Sequence, residues 1–457
     1  MHQLTVLGPA GEYSSRSRTL ISDVRGAPVA ELSLASVPFV SRAMSALRKA
    51  KPLGLDERLS ALARAGEIFR TDSVEFEETV SRVSGLGIST VRAAVDKIAR
   101  YCADAYEHAQ FARPMAAVES LDDPRSKTGT AVWVRRGEVF AVHAAGNHPA
   151  VHADWIQALA LGYRVAVRPS RREPFTAYGL VSALRSAGFG DDHVVYLPSE
   201  YAAADEMLQG ADRAMVYGGD DVIRKYGSRE AVLPQGPGRS KILITSEIDW
   251  HAHVDLIADS VSRGGGTSCV NATAVFVDGD AVAVAEAVAE RLASIPSLPP
   301  EDNAAILPVQ PIDSARQMEQ YALEAARGTT AVLGGDGIVD ELGDGSAALR
   351  PGVFLAPEPT TAHTRVELPF PCVWVAPWST LTGFEPLRET LALTALTTVE
   401  DLIQRLLAEP TIRNLHVGPH PTYWTAPGMP HDGFLADFLM ESKGLVRARS
   451  WSPPAHP

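Results

Sequence analysis

Of the three cysteines in the chain, Cys269 has neighbours that suit a nucleophile. Gly264-Gly265-Gly266-Thr267-Ser268 precedes it, so the backbone there can approach a ligand closely while small side chains leave room above the thiol. Taken alone, Cys269 also fits a buried apolar position beside Val275-Phe276-Val277. Cys102 falls in an amphipathic helical pattern and Cys372 in the run Pro371 to Val375, where packing explains both. Asn147, in Ala144-Ala145-Gly146-Asn147-His148-Pro149, directly follows a strand-like run, a place from which an amide can donate into a cleft. Gly-Asn before His-Pro is equally good turn sequence.

Two further clusters suit an anion. Arg168-Pro169-Ser170-Arg171-Arg172 follows another apolar run, and its guanidinium groups fit either a phosphate-bearing ligand or a solvated basic turn. Tyr217-Gly218-Gly219-Asp220-Asp221 closes a strand and opens a helix, a geometry whose backbone amides can receive a diphosphate. His143, His148 and His152 lie close together, yet no helix carries His-x-x-x-His with an acidic partner, so no metal site is expected.

These residues need a scaffold. At 457 residues, with 46% hydrophobic and 21% charged, the chain is globular and long enough for two or three lobes. A net charge of −13 argues against a nucleic-acid partner, though not against one small anion in a basic pocket. Three cysteines at unrelated spacings predict neither a disulfide framework nor a thiolate zinc site. No secretory leader and no run of about 18 apolar residues is present, so a soluble, cytoplasmic protein without membrane contact is expected.

Residues 1–37 alternate weakly and predict a strand or two at an edge. Helical spacing over 39–72 and 80–112 predicts two or three long helices before Pro114. Thr128 to Val142 reads as a hairpin turning at Arg135-Arg136-Gly137. Short apolar runs then recur at 139–142, 164–167, 193–196, 213–217 and 241–244 with helical segments between them, the pattern of βαβ units winding a parallel sheet. Ligands of such sheets lie beyond the carboxyl ends of the strands. A second series runs from Trp250 to Trp378, with surface loops expected at Ser294 to Asp302 and Gly334 to Gly345. Gly334-Gly335-Asp336-Gly337 lacks the strand-then-helix frame of a phosphate loop and reads as a turn.

Taken in order, the segments resemble the aldehyde dehydrogenase superfamily. Ala145-Gly146-Asn147-His148-Pro149 is similar to the family's Pro-Trp-Asn-Phe-Pro, Arg168-Pro169-Ser170-Arg171 to Lys-Pro-Ser-Glu, and Val216-Tyr217-Gly218-Gly219 to Phe-Thr-Gly-Ser. Gly266-Thr267-Ser268-Cys269 is similar to Gly-Gln-x-Cys, and Glu367-Leu368-Pro369-Phe370-Pro371-Cys372-Val373 to Glu-x-Phe-Gly-Pro-Val. Arg350-Pro351-Gly352-Val353-Phe354 and the closing stretch from Phe438 to Val446 also match landmarks. The resemblance implies an α/β fold with two Rossmann-like parallel-sheet domains plus a small β oligomerisation element. It places an NAD(P)-binding domain at 1–114 and 138–244, a catalytic domain at 245–415, and the oligomerisation element at 115–137 and 416–457, giving a homodimer or homotetramer. It also implies that Cys269 forms a thioester with the substrate acyl group, that Asn147 and the Cys269 N–H hold the oxyanion, and that Arg168, Ser170, Arg171, Gly218, Gly219, Glu367 and Phe370 bind the nicotinamide cofactor.

Two departures carry weight. The family's Glu-Leu-Gly-Gly-Lys is replaced by Leu233-Pro234-Gln235-Gly236-Pro237-Gly238-Arg239-Ser240-Lys241, which lacks the carboxylate that activates water. Without it, hydrolysis of the thioester should slow by roughly 10²- to 10⁴-fold. Gly236 to Ser240 is more similar to acyl-CoA reductases, so reduction of an acyl thioester, carried on coenzyme A or an acyl carrier protein, to the aldehyde is expected. The alternatives are oxidation of an aldehyde to the acid with another base, such as His148, and a non-catalytic scaffold. Arg171 stands where NAD-preferring relatives have a glutamate, so NADP is expected over NAD.

Overall fold

The computed structural model describes residues 1–71 and 74–447. Its first sheet orders Val232–Gln235, Arg213–Tyr217, Val139–His143, Arg164–Arg168 and Val194–Tyr196 in parallel. Val6–Gly8 and Gly11–Tyr13 extend its far edge antiparallel. The middle strands are apolar at nearly every position because both faces are covered. Phe140 and Val142 point into one core cluster while Val139 and Ala141 point into the other. Strand order reverses between Val139–His143 and Arg213–Tyr217, so the segment carrying Asn147 and the turn Gly218-Gly219 leave the sheet in diverging directions and open a crevice.

Four helices, Val37–Lys49, Leu55–Thr71, Val74–Ser84 and Ile88–Gln110, precede this sheet's central strands. Ile88, Val91, Val95, Ile98, Cys102, Ala105 and Ala109 form the buried stripe of the longest helix. That helix lies against Leu55–Thr71, where Gly66 permits close approach: a Cβ there would stand 2.5 Å from the Ala99 carbonyl oxygen.

The second sheet runs Thr330–Leu333, Gly352–Leu355, Cys372–Pro377, Ala272–Val277, Ser240–Ile244, Thr390–Leu396, Ile412–Val417, all parallel except the first. This corrects the expected placement of residues 241–244. Their strand pairs with Ala272–Val277 and Thr390–Leu396, so the crossing between sheets falls between Gln235 and Ser240.

A smaller sheet joins residues far apart in sequence. Met440–Leu445 pairs antiparallel with Thr130–Arg135, which also takes Ala117–Val118 in parallel. The expected hairpin does not form, because Thr130–Arg135 and Val139–His143 belong to different sheets and Arg136-Gly137 carries the chain between them. Residues 1–37 hold five short strands rather than one or two, and the stretch expected as a loop at 334–345 contains the strand Val339–Glu341 beside Ser346–Leu349. Gly334 to Gly337 forms a turn between strands. No helix among the described residues is long and apolar enough to cross a membrane.

Candidate active site

Cys269 sits on the loop entering the strand Ala272–Val277, and the glycines before it shape that loop. Gly264, Gly265 and Gly266 have φ of 60°, 78° and 66°, a region other residues rarely adopt. A Cβ on Gly266 would stand 2.5 Å from the Pro371 nitrogen, so this backbone lies directly on the Phe370-Pro371 segment. Hydrogen bonds fix the rest. Asn271 accepts the Ser268 N–H at 2.9 Å and donates to the carbonyls of Ser260 and Arg263 at 3.1 and 3.0 Å. The segment lacking the carboxylate packs directly behind the nucleophile position: Ser240 Oγ donates to the Cys269 carbonyl at 2.9 Å, and a Cβ on Gly238 would fall 1.7 Å from that oxygen.

Cys269 is partly exposed, whereas Cys102 and Cys372 are buried. Burial pushes the Cys102 thiol up to about 12 and that of Cys372 higher still, so neither offers a thiolate at neutral pH. Cys269 and Asn147 line one cavity of about 1140 Å³ whose wall also includes Tyr101, Trp424 and Phe434. Asn147 Nδ2 donates one hydrogen to the Thr267 carbonyl at 2.8 Å, which ties the oxyanion candidate to the cysteine loop and leaves its second hydrogen uncommitted.

Across from the thiol is a residue the sequence did not single out. His431 Nε2 lies 3.3 Å from Cys269 Sγ. Its side chain is exposed, with protein atoms of the cleft around it. That surrounding lowers its proton affinity, but the charge and hydrogen bond of Cys269, with Asp154 and Asp432 nearby, outweigh it and raise the pKa to about 9. Asp154 accepts from the Tyr217 hydroxyl at 3.1 Å, and Asp432 accepts from Gln235 at 3.1 Å. The signal available was His-Asp within the Pro- and Gly-rich stretch from Gly418 to Gly433. No spacing rule connects it to position 269. His148, offered as a substitute base, has Nδ1 committed to the Ala150 N–H at 3.1 Å, and burial pushes its pKa down to about 4.

None of the residues assigned to the cofactor lines this cavity: Arg168, Ser170, Arg171, Gly218 and Gly219 lie in or just after strands of the first sheet, whereas Glu367 and Phe370 precede the second-sheet strand Cys372–Pro377. Ser170 is pressed against Gly146, where a Cβ would approach its Oγ to 2.2 Å, and its hydroxyl accepts the Arg172 N–H. Arg168 Nε donates to the Ser199 carbonyl at 3.2 Å, and its guanidinium lies 5.9 Å from the Tyr201 ring centre. Arg171 forms an ion pair with Glu200, so it is not the free cation the sequence suggested for a 2′-phosphate. Gly219 caps the helix Asp220–Tyr226, whose first turn carries Asp220 and Asp221, with Arg239 bound to Asp220 at 2.6 Å. Those carboxylates already answer the helix's positive end and would oppose a diphosphate in direct contact. Glu367 accepts the Arg239 N–H at 2.9 Å, and burial raises its pKa against that bond. Phe370 is corrected outright: at 1% exposure it packs with Leu349, Phe354 and Trp374 and presents no face to a ligand. No cluster of metal-ligating side chains occurs among the described residues.

Comparison with known proteins agrees with this architecture. The profile of the aldehyde dehydrogenase family matches residues 12–383. An aldehyde-dehydrogenase-like protein of Sinorhizobium fredii is 21% identical over 61% of this chain, and the match spans just over half, 55%, of that relative. A vanillin dehydrogenase of a Pseudomonas species is 26% identical over 72% of this chain and 71% of its own. Among solved structures, the NAD-dependent aldehyde dehydrogenase of Sinorhizobium meliloti superposes with a TM-score of 0.81 at 16% identity, covering 99% of this chain and 96% of that one. Aldehyde dehydrogenase 21 of Physcomitrella patens gives 0.81 at 16% identity over 98% of both chains. Two large, mostly parallel sheets, the small sheets beside them and the glycine-rich cysteine loop thus have a common explanation: the chain belongs to the aldehyde dehydrogenase family.

Proposed function

We propose that the protein is a nicotinamide-dependent oxidoreductase that oxidises an aldehyde through a thioester on Cys269. The observation carrying this reading is the convergence of a partly exposed thiol and the Asn147 amide on one large cavity, with the Asn147 amide tied to the thiol's own loop. The named vanillin dehydrogenase supports the oxidative direction.

The thiolate attacks the aldehyde carbon, forming a C–S bond and an alkoxide. The uncommitted Asn147 hydrogen and the Cys269 N–H are the donors available to that alkoxide. A dinucleotide in the first-sheet crevice would have Arg168, Ser170 and Glu367 to hold its ends, with its diphosphate kept clear of Asp220 and Asp221. When bound, NAD or NADP supplies the hydride acceptor. Because Glu200 already neutralises Arg171, preference for a 2′-phosphate rests mainly on Arg168.

Acyl-thioester reduction is a second reading, supported by the absence of any carboxylate from Leu233 to Lys241. Intact-mass analysis separates the two after incubation with an aromatic or aliphatic aldehyde and NAD or NADP, with and without coenzyme A. Free acid formed without thiol is expected for the dehydrogenase reading. Turnover only with coenzyme A would favour the second, and no adduct on Cys269 with any aldehyde or thioester would overturn both.

A further inference from the structure

We propose that Cys269 and His431 form a catalytic pair in which His431 first holds the thiol proton and then serves as the base that releases the acyl group. The inference rests on Cys269 being the nucleophile, and it identifies what stands in for the carboxylate missing between Leu233 and Lys241.

The geometry is built from both large sheets. Nε2 of His431 lies 3.3 Å from Sγ, within reach for a proton to pass between them. The histidine's carbonyl accepts from the side chain of Asn414, whose amide also binds the Leu391 carbonyl at 3.0 Å in the second sheet. The next residue, Asp432, is bound by Gln235 at the end of the first sheet's edge strand. The backbone carrying the ring is thereby anchored on two sides. The ionisable groups facing the pair are Asp154, Asp432 and Tyr217. The two carboxylates favour a charged imidazole, and Tyr217 is held neutral by burial and by Asp154. Burial lowers the proton affinity of two other histidines on the cavity wall, His148 and His416.

The proton balance closes over one cycle. In the resting pair the thiol proton resides on Nε2 and the sulfur is a thiolate. Attack on a carbonyl consumes the negative charge that kept His431 protonated, so the acylated form gives that proton to water in the cavity. Neutral Nε2 then takes a proton from the attacking water as its oxygen bonds to the acyl carbon. The C–S bond breaks, the sulfur leaves as thiolate, and His431 keeps the proton, which restores the starting pair.

An ester substrate isolates these steps from hydride transfer. With 4-nitrophenyl acetate the thiolate displaces nitrophenolate in a burst, and steady turnover reports hydrolysis of the acetyl thioester. For His431→Gln we expect the burst to slow near neutral pH as the thiolate is lost but to persist at pH 9 and above, where the thiol ionises unaided, while turnover there still falls by roughly 10²- to 10⁴-fold. Alkylation of Cys269 by iodoacetamide, followed by intact mass, gives a readout independent of turnover. In the unaltered protein its rate should stay nearly flat from about pH 6 to 9, and in His431→Gln it should fall about 10²-fold at pH 6.5, as for a free thiol of pKa near 8.5. An unaltered protein whose alkylation rises only through pH 8–9 would overturn the pair without any variant. So would a His431→Gln protein with unchanged profile and turnover, and in both cases a persisting burst leaves the nucleophile reading standing. Absence of both burst and labelling in the unaltered protein would instead remove Cys269 itself.

Discussion

Replacing Gly238 by alanine adds one methyl group and no charge, and it should disable the enzyme. The added Cβ would lie 1.7 Å from the Cys269 carbonyl oxygen and 2.5 Å from its carbonyl carbon, where ordinary contact begins near 3.4 Å. Both neighbours are backbone, so no side chain can swing aside. The cysteine loop must retreat by roughly 1.5 Å, and a displacement of about 1 Å costs on the order of 10²-fold in rate. The Ser240 bond to the same carbonyl, 2.9 Å long, stretches with it. Overpacking of this kind costs about 1–3 kcal/mol, too little to unfold a large chain. The assay is the ester burst and turnover measured beside a urea melt. Gly444→Ala serves as control, because nothing lies within 4 Å of its Cβ position. A Gly238→Ala protein with native burst rate and turnover would refute the claim that this backbone contact fixes the nucleophile.

Asn147→Ala should lower turnover by roughly 10²- to 10³-fold while Cys269 alkylation persists, as expected when an oxyanion donor is lost but the thiol remains. Gly66→Ala should destabilise the protein by about 1–3 kcal/mol in urea despite alanine's better helix propensity, because its Cβ meets the Ala99 carbonyl oxygen at 2.5 Å. Acid should weaken the fold through His143 and His152, which burial pushes down to about 3 and 4 from 6.5. Between those values and 6.5 the unfolded chain binds protons that the folded one does not, so stability falls as pH drops through that window, and His152→Gln should flatten part of the slope in urea melts at pH 4.5 to 7.

What could be read from sequence was what the chain writes locally. Gly146-Asn147, Ser170, Gly218-Gly219 and the glycines before Cys269 each combine a turn with a strand end, and the resemblance rested on their order. Sheet membership was less legible. Lys241–Ile244 is as apolar as the first-sheet strands, and only its partners, Ala274–Val277 and Leu393–Leu396, assign it to the second sheet. Thr130–Arg135 likewise looked like half of a hairpin because its true partner, Met440–Leu445, lies some three hundred residues on. Phe370 carries a family motif yet faces inward, since a motif records backbone position and not which way a ring turns once the strand Cys372–Pro377 has packed. His431 was invisible for a related reason: contact between two loops 162 positions apart leaves no periodic trace.

With His431 as the proposed partner of the thiol, that separation would set when the thiol becomes reactive. On a ribosome the cysteine loop emerges long before the stretch from Gly418 to Gly433, and the nascent chain then carries an ordinary, mostly protonated thiol. Only when the final strands have docked does the imidazole arrive, so alkylating or oxidising agents meet a muted sulfur throughout synthesis. A protease nick within that stretch would return a mature chain to the same quiet state.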